Sequence, residues 1–270
     1  MPPETAPSLF YIMVLAIIQG LSEFLPISSS AHLVLLGILT DTQHSIDVDI
    51  AVHFGSLLAL MLFCRKDIGG LITDLPTLVT HRRTQYTSLL RLLVIASLPV
   101  VVIGFVVRYS IDMSSIRSLA WLASVNLLFA VLLYGADRWG RTDKTLADLR
   151  WWHGLAIGSA QACALMPGVS RSGAVITAAR HIGVPAEQAA RLSFLLSMPA
   201  IAGAMLLVAI DATKETTTTP PETLLIAILL SFVAAFGALK ALMSLLRITN
   251  FTPFVLYRVG LSLLLFASLS

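Results

Sequence analysis

The sequence predicts an all-α polytopic membrane protein, with six transmembrane helices plus two re-entrant helical hairpins in an inverted-topology repeat. Three observations carry this expectation. Of 270 residues, 57% are hydrophobic and only 12% charged, against roughly 25% charged in soluble domains. Six stretches are apolar over the length a bilayer needs, about 20 residues or fewer where the ends snorkel. Two further apolar regions, 8–40 and 152–179, are each interrupted by a cluster of Pro, Ser and Gly.

A mean hydropathy of +0.86 excludes an ordinary cytosolic enzyme, a disordered chain, a nucleic-acid module and a disulfide scaffold. The 18 Lys and Arg exceed the 15 Asp and Glu by a net +3, too dilute for an anionic polymer partner. Cys64 and Cys163 sit in apolar stretches, where cysteine is a small inert hydrophobe. Met1 to Ser8 hold Glu4 and no Lys or Arg, so the basic n-region of a signal peptide is missing.

Taken in chain order, region 8–40 comes first and breaks at Pro26-Ile27-Ser28-Ser29-Ser30. The pieces on either side are about a dozen residues long, short for a span and suited to a re-entrant half-helix. Spans follow at about 47–64, 89–107 and 118–135. Region 152–179 breaks at Pro167-Gly168-Val169-Ser170-Arg171-Ser172-Gly173, and spans follow at about 189–210, 224–240 and 252–269. A shift of 142 residues lays Gln19 on Gln161, Ser28 on Ser170 and Ser30 on Ser172. The chain thus divides into repeats of about 8–135 and 152–269 within a single membrane domain, 1–270. Inverted repeats with discontinuous helices are a recurring transporter plan.

Positive residues orient the spans. Arg65, Lys66, Arg82, Arg83, Arg91, Arg138, Arg141, Lys144, Arg150, Arg180, Arg191, Lys240 and Arg247 fall on one side, and Arg108, Arg117 and Lys214 on the other. The loop around Asp211, Lys214, Glu215 and Glu222 is net negative. The cytoplasm takes the basic side, which leaves both termini outside. The first hairpin then enters from outside and the second from inside.

An ionisable side chain in a membrane segment costs roughly 2.5–3.5 kcal/mol on insertion scales, so each one demands a partner or a purpose. Here they are Glu23, His32, His53, Arg171 and Arg258. His53 is as well explained by a satisfied core contact as by a role. Arg258, near the inner end of the last span, is expected to snorkel. Gln19 and Glu23 are four residues apart and share a helix face, where their oxygens suit a hard cation assisted by substrate oxygens. Serines before Ala31 and His32 are ordinary N-caps, which does not account for the carboxylate and imidazole flanking them. In the second break, glycines expose amides, and Ser170 and Ser172 flank the permanently charged Arg171, a group suited to gripping phosphate. Arg171 could alternatively form a structural ion pair with Glu23. This set could hydrolyse or transfer a phosphoryl group on a membrane-held lipid. It could equally translocate a phospholipid-like head group. A structural scaffold would leave the intramembrane Glu, His and Arg unexplained.

At these residues the sequence resembles the undecaprenyl-diphosphate phosphatase family, the bacterial bacitracin-resistance membrane proteins. The segment Gln19 to His32 is similar to the family's (E/Q)xxxE block with its Ser-rich, His-containing continuation, and 167–173 is similar to its PGxSRS block. Phe54-Gly55-Ser56-Leu57, Ser193-Phe194-Leu195-Leu196 and Pro253-Phe254-Val255-Leu256-Tyr257-Arg258 add supporting matches. The resemblance covers essentially the whole chain. It implies an inner-membrane phosphatase of the bacterial cell, removing the terminal phosphate of undecaprenyl diphosphate to renew the carrier lipid of peptidoglycan synthesis. It also implies a site opening toward the periplasm, a divalent cation (Mg²⁺ or Ca²⁺), and often a homodimer; a nucleic-acid partner is not expected.

Carried over by motif, Glu23 matches the family's essential glutamate, Ser29 and His32 its candidate nucleophile and base, and Arg171 its phosphate-binding arginine. Ser28, Ser170, Ser172, Gly173 and Thr177 join the phosphate cradle, and Glu23 with Gln19 is the candidate cation site. Two departures stand out. Gln19 replaces a first glutamate, and Val175 stands where members tend to have Thr, with Thr177 two residues on. The residue types imply attack on phosphorus by Ser29, with His32 or Glu23 accepting the proton; a His32 nucleophile or direct attack by water remains open.

Overall fold

The computed structural model describes residues 8–42, 45–77, 84–110, 118–212 and 219–269. Glu4, Arg82, Arg83, Arg117, Lys214 and Glu215, all used in reading the sequence, lie outside the described residues.

Helices α1 (Leu9–Glu23) and α2 (Ser29–Thr40) are the two halves of the first broken region. Ser8 opens α1, its hydroxyl accepting from the Tyr11 N–H at 3.2 Å. Helices α3 (Ile46–Phe63), α4 (Arg65–Thr73), α5 (Gln85–Ser110) and α6 (Leu119–Trp139) follow. The second broken region forms α7 (Trp151–Ala162), a 3-10 turn (Cys163–Leu165) and α8 (Arg171–Ile182). Helices α9 (Ala186–Ala212), α10 (Pro221–Leu246) and α11 (Thr252–Ala267) complete the chain.

Five of these, α3, α5, α6, α9 and α10, are long and apolar enough to cross a bilayer. The expected sixth span is the shorter α11, at 16 residues. With 1.5 Å of rise per residue such a helix reaches about 24 Å, less than a full hydrocarbon core of about 30 Å. Its start is tied to the bundle, because the Phe251 N–H donates to Asp137 Oδ2 at 2.8 Å. The helix breaks appear where the sequence predicts, each broken region forming two helices of 12–15 residues.

The bundle is inside-out by the standards of water-soluble folds. Val101, Phe105, Leu206, Val233 and Leu263 all point outward with more than half their surface uncovered, an arrangement stable only in contact with lipid. Helix α10 packs along α1 and α3, α5 along α7, and α6 along α11, while α8 lies among α6, α7 and α9. The closest crossings use small residues, as membrane helices require. A Cβ on Gly55 would meet the Ile228 carbonyl oxygen at 2.3 Å, and one on Gly158 the Ala96 carbonyl oxygen at 2.2 Å.

Arg180, counted among the charges on the cytoplasmic side, lies in the last turn of α8. It is buried, and its Nε donates to Asp137 Oδ1 at 2.9 Å while Nη1 donates to the Val184 carbonyl at 2.8 Å. Asp137 thereby joins the end of α6, the end of α8 and the start of α11. Arg191 pairs with Asp67 and ties α9 to α4. Cys64 and Cys163 are free thiols.

Candidate active site

Helix α1 ends at Glu23, and its last turn places Gln19 and Glu23 on one buried face. Gln19 Nε2 donates to Glu23 Oε2 at 2.6 Å. Arg171, the first residue of α8, donates from Nη2 to Glu23 Oε1 at 2.5 Å and from Nη1 to the Ser197 carbonyl at 3.0 Å. The ion pair weighed as the alternative for Arg171 is therefore present. The carboxylate and guanidinium stand in one place, joined across 148 residues of sequence.

The two breaks interlock. Ser30 Oγ accepts from the Gly168 N–H at 3.2 Å, and Ser172 Oγ donates to the Leu25 carbonyl at 2.8 Å. Within each break the serine hydroxyls face one another, Ser28 with Ser30 and Ser170 with Ser172, both at 3.2 Å. Ser28 has φ 69° and Ser170 φ 68°, both in the left-handed region. A non-glycine residue there costs of order 1–3 kcal/mol and persists only where its surroundings hold it. Each of these serines is the N-cap of its half-helix, and the Ser170 hydroxyl accepts from the Gly173 N–H at 3.2 Å. Two helix N-termini thus converge on one locus, where unpaired amides and aligned dipoles favour anions.

Ser29 is the first residue of α2, half-buried. Thr177 turns its hydroxyl back onto the Gly173 carbonyl at 2.7 Å, so that oxygen already has a use within the helix. Val175 is buried in the core.

His32 has both ring nitrogens engaged. Nδ1 lies 2.8 Å from the Ser28 carbonyl, which only accepts, so Nδ1 carries the proton. Nε2 then accepts from the Tyr257 hydroxyl at 2.6 Å. The two rings stack with centroids 5.5 Å apart.

Arg258 does not snorkel. It is fully buried, because its Nε donates to Asn126 Oδ1 at 2.9 Å and its Nη2 to the carbonyls of Gly168 at 3.3 Å and Val169 at 3.0 Å. Oxygen acceptors brought from two other elements remove any need to reach the interface.

The sequence singled out His53 without assigning it, and it stands beside the site. Its Nε2 is 3.9 Å from Glu23 Oε2, and its Nδ1 donates to the Asp49 carbonyl at 2.8 Å. Asp49 and His53 line a small cavity of about 90 Å³ with Ile201 and Met205. Ser197 was missed altogether. It contributes a main-chain oxygen, which any residue supplies, so no side-chain signal marks it. Asn126 did carry a signal, an amide in the middle of an apolar span.

Among the described residues, no three His, Cys, Asp or Glu side chains come together to hold a metal ion. Gln19 Oε1 is buried without a hydrogen-bond partner, and with a Glu23 oxygen freed from Arg171 it would offer two oxygen donors. That donor set fits Mg²⁺, which binds through one or two carboxylates and fills its shell with substrate phosphates and water.

A family profile described as "Bacitracin resistance protein BacA" matches residues 12–264. A curated relative from Jannaschia sp. (strain CCS1), named "Undecaprenyl-diphosphatase", is 40% identical over 262 residues, which covers 96% of this chain and 97% of the relative. With the profile and this relative each spanning nearly its full length, the chain belongs to the bacitracin resistance protein BacA family.

Proposed function

We propose that this protein is an integral membrane phosphatase that hydrolyses undecaprenyl diphosphate to undecaprenyl phosphate and phosphate. This reaction renews the carrier lipid for peptidoglycan synthesis and underlies bacitracin resistance. The 40%-identical relative carries the name of this activity, which favours hydrolysis over translocation. The observation that carries the chemistry is the Glu23–Arg171 pair at the convergence of two half-helix N-termini.

In the state described, Arg171 is held by one carboxylate. An incoming terminal phosphate brings more charge and a geometry matched to the guanidinium fork, so Arg171 transfers to it and Glu23 is released as a base. The α8 amides, Ser170 and Ser172 complete the cradle with Gly173, which lies in the first turn of α8. Ser28 braces the facing break, and Thr177 supports the cradle through the Gly173 carbonyl. Ser29 then attacks phosphorus, Glu23 takes the serine proton, and the bond to the bridging oxygen breaks, leaving undecaprenyl phosphate. Glu23 returns that proton to the departing bridging oxygen; water then attacks the phosphoserine and gives its proton to Glu23, which passes it to Ser29 Oγ as phosphate leaves. His32, with both nitrogens committed, orients the Ser28–Ser29 turn, which leaves the base role to Glu23. When bound, Mg²⁺ or Ca²⁺ on Glu23 and Gln19 would neutralise charge on the diphosphate.

The same reading takes the protein as a multi-pass component of the bacterial inner membrane. Its six crossings and two re-entrant hairpins form an inverted repeat, its termini and site face the periplasm, and it pairs as a homodimer. The shared shift of 142 residues between the left-handed Ser28 and Ser170 supports the repeat.

The deciding experiment is phosphate release from isoprenyl diphosphate by purified protein, with and without chelator. Release is expected, reduced by chelation; its absence under every metal condition would overturn the assignment.

A further inference from the structure

We propose that Tyr257 and Arg258, adjacent on α11, are positioning residues that hold the left-handed serines of both breaks and so set the two half-helix N-termini against one another. The inference rests on the phosphatase reading for its kinetic consequence and on geometry alone for its structural one.

Arg258 is a cation with no carboxylate partner among the described residues. Its contacts are the Asn126 amide oxygen and the carbonyls of Gly168 and Val169. These carbonyls belong to the two residues immediately before Ser170, whose φ is 68°. In a trans peptide the C=O and the following N–H point in opposite directions. Pinning both carbonyls on the guanidinium therefore turns the N–H groups of Val169 and Ser170 away from it and fixes the path into the strained residue. Arg258 Nη1 is buried and unpartnered, and a Cβ on Gly173 would lie 2.8 Å from it. Gly173, the last residue of the second break, thus leaves the room that Arg258 occupies.

The first break has no arginine in that place. The carbonyl of Ser28 itself, φ 69°, accepts from His32 Nδ1, and His32 is held in turn by the Tyr257 hydroxyl and the stacked Tyr257 ring. One break is gripped directly and the other through an imidazole, by consecutive residues of one helix. Asn126 completes the arrangement, its Nδ2 donating to the Arg258 carbonyl at 3.0 Å and to Ser262 Oγ at 2.9 Å, which locks α11 to α6.

Tyr257→Phe keeps the stack and removes the hydroxyl. Arg258→Met removes the grip together with a buried charge, a change that need not destabilise a protein interior. The test uses the full-length purified protein and reads hydrogen–deuterium exchange, thermal unfolding and steady-state kinetics on isoprenyl diphosphate. Arg258→Met is expected to speed exchange in 166–173, and Tyr257→Phe in 27–32, each with the unfolding midpoint retained. Misplacement of about 1 Å at a reacting centre costs up to about a hundredfold in rate, so kcat is expected to fall about tenfold or more with KM changed far less. Exchange unchanged at both breaks, or raised throughout the chain with kcat lost only in proportion to unfolded protein, would overturn the inference. A wild type that releases no phosphate would overturn the phosphatase reading instead, while the exchange pattern would still decide the structural claim.

Discussion

Glu23 and Arg171 are 148 residues apart in sequence, and neither charge is tolerable at membrane depth without the other. Removing one partner strands the second, which costs about 3–5 kcal/mol in a fully buried pair. Arg171 keeps 16% of its side chain exposed, so we expect Glu23→Gln to lower stability by about 2–3 kcal/mol and to abolish phosphate release. The double variant Glu23→Gln/Arg171→Met should recover most of that stability and none of the activity. Thermal unfolding in detergent beside a phosphate-release assay separates the two effects; a double variant as unstable as the single would refute the pairing account. For Ser29, a rapidly quenched reaction should yield a phosphorylated peptide containing that residue, and Ser29→Ala should lose turnover by about a hundredfold or more. Turnover retained in Ser29→Ala would transfer the attack to water. The Gln19–Glu23 face was legible in the sequence because a four-residue spacing is local helical geometry. Arg258 was not, because its acceptors are supplied by residues 126, 168 and 169, and distance from a helix end says nothing of them.

At the scale of elements, helix approach is set by glycines whose missing Cβ admits a neighbouring backbone. Gly55 and Gly158 face carbonyl oxygens that cannot move aside, whereas a Cβ on Gly203 in α9 would meet nothing within 4 Å. Gly55→Ala and Gly158→Ala should each destabilise by about 1–3 kcal/mol through overpacking. Gly203→Ala should be neutral or stabilising by up to about 1 kcal/mol, because alanine is the better helix former. Unfolding midpoints of the three variants check this, and equal losses at all three would show that glycine acts here through backbone freedom and not through space. The broken helices were readable from Pro, Ser and Gly in otherwise apolar stretches. Their left-handed serines were not, since serine has no intrinsic preference for φ near +70° and takes it only where neighbouring elements hold the carbonyls.

Across the whole molecule, Trp139, Trp151 and Trp152 are exposed at the end of α6 and the start of α7, beside Arg138, Arg141, Lys144 and Arg150, with Arg150 4.9 Å over the Trp152 ring. Tryptophan and arginine at adjoining helix ends mark a membrane–water boundary, and the excess of positive charge there makes it the cytoplasmic one in the proposed topology. Reporter fusions at both termini should therefore behave as periplasmic. A cytoplasmic signal from one terminus alone would refute the even number of crossings, and from both would refute the orientation. The class of the protein, the places of the long helices and the two breaks follow from the sequence alone, because hydropathy, proline and helical spacing act over a few neighbouring residues. Only the tertiary structure decided that Arg171 rests on Glu23, that Arg180 and Arg258 are buried, that His32 is fully bonded, and that the two breaks interlock. Each of those outcomes depends on a partner more than 40 residues away, and in a medium without water every buried polar group goes to whichever partner the fold brings within reach.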